Sequence, residues 1–122
     1  MENRLSIRNF RELNVWQLGK TIASEIYTIT KGFPKEEIYG LVSQMRRASV
    51  SIPSNVAEGF NRFHPGEYRQ FLFIALGSCA ELETQMELSK DFGYVSGDKF
   101  GQILEKLNHE SRMLRNLIKK KK

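Results

Sequence analysis

Cysteine, histidine and tryptophan are scarce in this chain of 122 residues, which contains one cysteine, two histidines and one tryptophan. The lone cysteine, Cys79, excludes an internal disulfide and is typical of a reducing compartment. Neither His64 nor His109 has a glutamate three residues before it, so the paired Glu-x-x-His pattern of di-iron bundles is absent. We therefore expect no bound metal and no cofactor.

Long apolar runs and phosphate-binding glycine loops are also missing from the sequence. The longest apolar run, residues 71–76, is too short to cross a bilayer. The first ten residues carry charges and have no apolar core of the kind that a secretory signal needs. We expect a cytoplasmic protein without a membrane segment, and the lack of a nucleophile beside a base predicts that it is not an enzyme.

The few prolines and the glycines lie where helices would begin and end. Gly32 and Gly93 are suited to helix C-termini, because glycine readily adopts the left-handed conformation found there. Pro34 and Pro65 are suited to first turns, where a missing N–H costs nothing. Between these residues, apolar side chains recur with helical spacing. The sequence predicts one domain, 1–122, with helices at about 13–31, 35–61, 65–92 and 98–118 and a basic tail at 119–122.

The predicted connections are short, which makes neighbouring helices run in opposite directions. We therefore predict an all-α, antiparallel up-down-up-down four-helix bundle. Pro53 falls inside the second helix, so we expect that helix to be kinked there.

The net charge of +5 comes from one end of the chain. Residues 111–122 carry six basic side chains and no acidic one, which leaves the rest nearly neutral. Such groups can neutralise phosphates, although a terminal lysine run can equally serve only for solubility. The candidate nucleic-acid-binding residues are Arg46, Arg62, Arg69, Arg112, Arg115, Lys119, Lys120, Lys121 and Lys122.

A narrow polar ridge is predicted on the second helix, next to its apolar face. A smaller set, with Glu81 between Ser78 and Gln85, recurs on the third helix. The ridge can hold structural ion pairs, for instance Arg47 with Glu81, or it can line a groove or a subunit interface. Its members on the second helix are Gln44, Arg47, Ser51, Asn55, Glu58 and Arg62.

The third helix is apolar or small almost all the way round over residues 71–80. A helix on the outside of a monomeric bundle needs only one apolar stripe. Phe73 and Leu76 lie off the main stripe, which favours an oligomer that buries them, although wider coverage by neighbouring helices is the alternative.

Residues 33–62, FPKEEIYGLVSQMRRASVSIPSNVAEGFNR, resemble the signature of four-helix-bundle proteins encoded in intervening sequences of bacterial 23S rRNA genes. The similarity extends through 67–94 and begins earlier, at 10–20. The resemblance implies a ring-like homopentamer, and the family is similar to the pentameric accessory proteins of diversity-generating retroelements, which bind nucleic acid and a reverse transcriptase. It implies no catalytic residues.

The leading hypothesis is a non-enzymatic oligomeric module that binds RNA or DNA through phosphate contacts without base readout. In it, Arg46 and the tail lysines supply exposed charge, and Arg47 holds the assembly together. The alternative is a protein-interaction scaffold that docks a partner such as a nucleic-acid enzyme.

Overall fold

The computed structural model describes residues 7–121 of the chain. This part contains four α-helices and no β-strand, so the all-α, four-helix prediction is confirmed. A short 3₁₀ turn, Phe10–Glu12, precedes the first helix. The helices are α1 Asn14–Thr30, α2 Ser43–Phe60, α3 Pro65–Asp91 and α4 Gly97–Lys120.

The ends of the helices follow from local chemistry. Pro65 occupies the first turn of α3, where its fixed φ suits the helix and no N–H is needed. Gly93 follows the end of α3 with φ 79°, a conformation that favours glycine. Ser96 caps α4, because its hydroxyl accepts a hydrogen bond from the backbone N–H of Lys99 at 3.2 Å.

The segment before α2 is not the regular α-helix that the sequence predicts. Lys35–Glu37 forms a 3₁₀ turn and Ile38–Val42 a π-helical turn, in which Gly40 has non-helical backbone angles. A π turn holds more residues than an α turn, so side chains before it rotate relative to α2. The apolar side chain of Ile38 is therefore exposed. Pro53 lies within α2, and a bend of the axis there stays a prediction.

Each helix packs against the next along the chain, and α1 also packs against α4. Arg46 near the start of α2 is bonded to Thr30 at the end of α1, whereas Ile52 lies against Gly19 nearer the start of α1. The contacts between neighbouring helices thus run in opposite chain directions. Two contacts for each of the other helix pairs show the same opposite order. They are Met45–Ser89 and Gly59–Tyr68 between α2 and α3, and Lys90–Phe100 and Tyr68–Lys121 between α3 and α4. Between α1 and α4 they are Glu25–Lys106 and Gly19–Glu110.

One carboxyl group lies inside the apolar core. Glu110 is 0% exposed, and neither of its carboxyl oxygens has a hydrogen-bond partner among residues 7–121. The buried residues of α4 are Ile103, Leu107, Glu110, Leu114 and Ile118, whereas Leu104 and Ser111 are only half-buried. Burial raises the pKa of Glu110 to about 8.

Across residues 7–121, no helix combines the length and the apolar character that spanning a membrane requires.

Candidate nucleic-acid interface

One end of the bundle, which we call the basic end, is formed where α2 finishes, α3 begins and α4 finishes. Gly59 near the end of α2 lies directly against Tyr68 of α3. The Lys121 ammonium, at the end of α4, lies 5.0 Å from the centre of the same Tyr68 ring. The aromatic ring therefore brings together segments that are far apart in the sequence.

Arg62 lies at the junction between α2 and α3. Its Nη2 donates to Glu58 Oε2 at 3.0 Å, and its guanidinium carbon lies 4.9 Å from the centre of the Phe71 ring. Both members of the ion pair are substantially exposed, and such pairs contribute only about 0–1 kcal/mol. The ion pair with Glu58 therefore does little to fix Arg62 in one position.

The last turns of α4 carry cations along one side. Arg112, Arg115 and Lys119 are exposed, and their spacing of three and four residues places them on one face. The predicted tail is in fact helical through Lys120, and the cationic side chains favour the helix because its C-terminal carbonyls carry partial negative charge. Lys122 lies outside the described residues.

Two exposed residues of the α2–α3 connection complete the basic end. Phe63 is 99% exposed and His64 is exposed beside it. They line a cavity of about 240 Å³ together with Arg62, Lys120 and Lys121. An exposed aromatic ring among cations is a surface on which a nucleic-acid base can stack.

Arg69 lies one turn into α3 and is also exposed. It lines a separate depression with Gly66, Gln70 and Phe73. Arg69 therefore borders both the basic end and the outer face of α3.

Arg46 does not belong to this surface, and it is half-buried rather than exposed as predicted. It lies near the other end of the bundle, where its Nε donates to Thr30 Oγ1 at 2.9 Å and its Nη2 to the Tyr27 carbonyl at 3.3 Å. The guanidinium also lies over the Tyr27 ring, 4.6 Å from its centre. These contacts hold Arg46 half-buried against α1.

The predicted polar ridge divides into an inner and an outer set. Ser51 is hydrogen-bonded to Ser78 at 2.8 Å, and the amide nitrogen of Asn55 donates to Ser51, so these residues join α2 to α3 within the chain. The outer residues are exposed, and the suggested ion pair between Arg47 and Glu81 does not form within residues 7–121. The exposed members are Gln44, Arg47, Glu58, Arg62 and Glu81.

The two apolar residues assigned to an interface differ in their surroundings. Phe73 is 51% exposed, whereas Leu76 is half-buried against the core of its own chain. Ile74 and Leu88, which were not singled out in the sequence, extend the exposed apolar surface of α3. A single chain thus leaves the outer face of α3 without an apolar covering.

Sequence reasoning missed Phe63 of the basic end and Arg11 before α1. Phe63 was overlooked because one aromatic residue in a connection gives no periodic signal. Arg11 lies in the 3₁₀ turn that packs beside α1 and α2, where its Nη1 donates to Asn9 Oδ1 at 3.0 Å. Asn9, whose side chain caps this turn, was the sequence signal that could have predicted the turn and the position of Arg11 in it.

Cys79 and the possible metal-binding side chains are the groups to consider as sites of catalysis or metal binding. Burial raises the pKa of the Cys79 thiol to about 12, so the thiolate needed for nucleophilic attack is disfavoured. Within residues 7–121, no three His, Cys, Asp or Glu side chains are grouped as metal ligands would be.

Comparisons with known proteins agree with this architecture. The structure is similar to the crystal structure of a protein of unknown function from the S23 ribosomal protein family of Bacteroides thetaiotaomicron VPI-5482. The TM-score is 0.80 at 23% sequence identity, and the match covers 86% of this chain and 95% of that one, a likeness that shows the fold.

Among curated proteins, none matches the chain significantly. The family described as 23S rRNA-intervening sequence protein matches residues 11–116. Since this match spans most of the sequence, the chain belongs to the family of 23S rRNA-intervening sequence proteins.

Proposed function

We propose that the protein is a non-enzymatic, oligomeric module that binds RNA or DNA through backbone phosphates at the basic end. The observation that carries this proposal is the meeting of Arg62, Lys120 and Lys121 with exposed Phe63 around one cavity. These residues come from the ends of two helices that are separated by the whole of α3 in the sequence.

Electrostatics favour phosphate binding over base recognition. Lysine and arginine contact phosphates without reading sequence, and their contribution falls as salt rises. The cationic stripe Arg112, Arg115 and Lys119 extends the basic end along α4. Glu58, the carboxylate closest to Arg62, is already paired with it, so its charge is partly compensated.

Oligomerisation would strengthen each weak site. The resemblance implies a homopentamer, and the apolar outer face of α3 offers a surface for self-association. Several copies of one phosphate-binding end in a single particle would bind a nucleic acid at several points, and such linked contacts raise the overall affinity.

The test is a titration of labelled single- and double-stranded RNA and DNA at several salt concentrations. We expect binding that weakens steeply between about 50 and about 200 mM salt. Replacing Lys119, Lys120, Lys121 and Lys122 with glutamine should reduce affinity and flatten the salt dependence, because four phosphate-neutralising charges are lost.

The matched control removes the same number of charges from the opposite end, through glutamine at Lys31, Lys35, Lys90 and Lys99. This control should retain the affinity of the natural protein. Equal losses in both variants would show that net charge alone is responsible. Absence of binding at low salt would reject the proposal and favour the protein-interaction scaffold.

A further inference from the structure

A second cavity, which we call the α1–α2 cavity, lies at the end of the bundle opposite to the basic end. It encloses about 590 Å³, within the range of ligand pockets. Phe33 and Val42 are its buried apolar residues, and Ile38 and Tyr39 are exposed beside them. Tyr39 is 96% exposed, so a large aromatic side chain stands here without cover from its own chain.

The backbone beside this cavity is irregular. Ile38–Val42 forms the π turn, and Gly40 within it has φ −113° and ψ −108°. Short π-helical turns occur frequently at functional sites. Here the turn leaves Ile38 and Tyr39 outside the core, at the edge of the cavity.

The edge of the cavity is cationic. Lys31, Lys35 and Arg46 line it, and no acidic side chain does. The nearby Glu37 does not line the cavity, and its carboxylate accepts hydrogen bonds from the Leu41 N–H and from the Tyr94 hydroxyl. The residues that line the cavity therefore carry a net positive charge next to an apolar surface.

Arg46 is the best positioned of the three cations. Its Nε and Nη2 are bonded to Thr30 and Tyr27, which leaves Nη1 without an acceptor among residues 7–121. A guanidinium held in this way loses little conformational freedom when it binds a carboxylate. This cation is therefore ready to accept an acidic group that enters the cavity.

We propose that the α1–α2 cavity, with its cationic edge and its exposed Tyr39, binds a peptide segment of another protein in which an acidic residue adjoins a large apolar one. The carboxylate is placed at Arg46 and Lys35, and the apolar side chain packs on Phe33 and Tyr39. A nucleic-acid backbone fits less well, because it offers phosphates to the cations but no aliphatic group to the apolar residues. The inference is independent of phosphate binding at the basic end.

The experiment selects binders from a phage-displayed library of random peptides on the full chain and measures the affinity of the selected sequences as synthetic peptides. We expect them to combine acidic and large apolar residues. Lys35→Glu and Tyr39→Ala should each weaken binding at least about tenfold, the effect expected for central contacts. Lys99→Glu, an equal charge change outside the cavity, should leave affinity unchanged.

Three results would overturn this inference. One is a set of selected peptides with no acidic excess, and another is binding that is insensitive to Tyr39→Ala. The third is a fall in the mass of the assembly, measured by light scattering, when Tyr39 is replaced by alanine. Such a fall would mean that a second copy of this chain, not a peptide of another protein, occupies the cavity. Glutamine at Lys119, Lys120, Lys121 and Lys122 should not affect peptide binding, which separates this test from that of the phosphate-binding end.

Discussion

At the scale of single residues, Glu110 is the most costly group in the core. Its carboxyl is buried beside Gly19 of α1, since a Cβ added at Gly19 would lie 3.1 Å from Glu110 Oε2, and Ile52 of α2 borders the same space. Cys79 of α3 interacts with it electrostatically, but burial raises the pKa of this thiol to about 12, and a thiol offers no positive charge to a carboxylate. The core therefore favours the protonated acid.

The pKa of Glu110 gives the sign of a pH effect on stability. The folded chain holds the proton up to about pH 8, whereas the unfolded chain releases it near pH 4.5. Between these values unfolding releases a proton, so the free energy of unfolding falls as pH rises and levels off above pH 8. The loss at neutral pH is on the order of 3 kcal/mol.

Glu110→Gln should remove this pH dependence, because glutamine has nearly the same shape and no proton to release. Urea unfolding between about pH 4.5 and about pH 8 should show a flatter stability profile for the variant. Glu105→Gln, a change at an exposed position of the same helix, serves as the control and should keep the natural slope. Parallel profiles for Glu110→Gln and the natural protein would contradict the burial argument.

Cys79 should react slowly with thiol reagents while the chain is folded. Its side chain is buried, and its raised pKa keeps the thiolate scarce at neutral pH. Alkylation followed by mass spectrometry should show protection in buffer and rapid labelling in denaturant. Rapid labelling of the folded protein would mean that the core opens locally around α3.

At the scale of elements, the contact between α2 and α3 depends on a glycine. A Cβ at Gly59 would lie 2.9 Å from Phe71 Cβ and 3.1 Å from the Tyr68 carbonyl oxygen, so a backbone must shift to admit it. We predict that Gly59→Ala lowers the free energy of unfolding by about 1–3 kcal/mol, the usual cost of overpacking.

Gly101→Ala is the matched control for this prediction. Gly101 lies inside α4 with open space around its missing Cβ, so alanine should raise stability by about 0.5–1 kcal/mol through its better helix propensity. Chemical denaturation of the two variants measures both effects. If Gly59→Ala were also stabilising, α2 and α3 would not be in close backbone contact.

The helices were predictable because their start and stop signals are local, as with Pro65 and Gly93. The π turn before α2 was not, since it coincides with a contact between Glu37 and Tyr94 that joins residues distant in sequence. The half-buried position of Arg46 was missed for a related reason. Apolar spacing gives the buried face of α2, but it does not say on which side of that face α1 packs.

The candidate site was predictable only in part. Arg112, Arg115 and the tail lysines were found because basic residues cluster at the end of the sequence. Arg62 was found separately, as the last member of the polar ridge on the second helix. Their meeting with Phe63 depends on the tertiary fold, in which the end of α4 returns to the start of α3. Composition therefore identified the charges, and only the structure identified the surface.

At the scale of the whole molecule, charge and apolar surface lie in different places. The cations of the basic end lie where helices finish, while exposed Phe73, Ile74 and Leu88 lie along the outer face of α3. An assembly that covered this face would leave the basic end free in every copy. Self-association and phosphate binding are therefore compatible, and they can be tested separately.

Phe73→Glu should break the assembly without unfolding the chain. The side chain is 51% exposed in a single chain, so a carboxylate there stays hydrated in the monomer but would be buried without a partner in an apolar interface. Light scattering should show the mass falling to that of one chain, with the helical circular dichroism unchanged. Phe63→Glu, the same substitution at an exposed position away from this face, should keep the natural mass. Two results would exclude the outer face of α3 as the interface: a Phe73→Glu protein that stays oligomeric, or a natural protein that is monomeric. If the natural protein is monomeric, each basic end must bind phosphates alone.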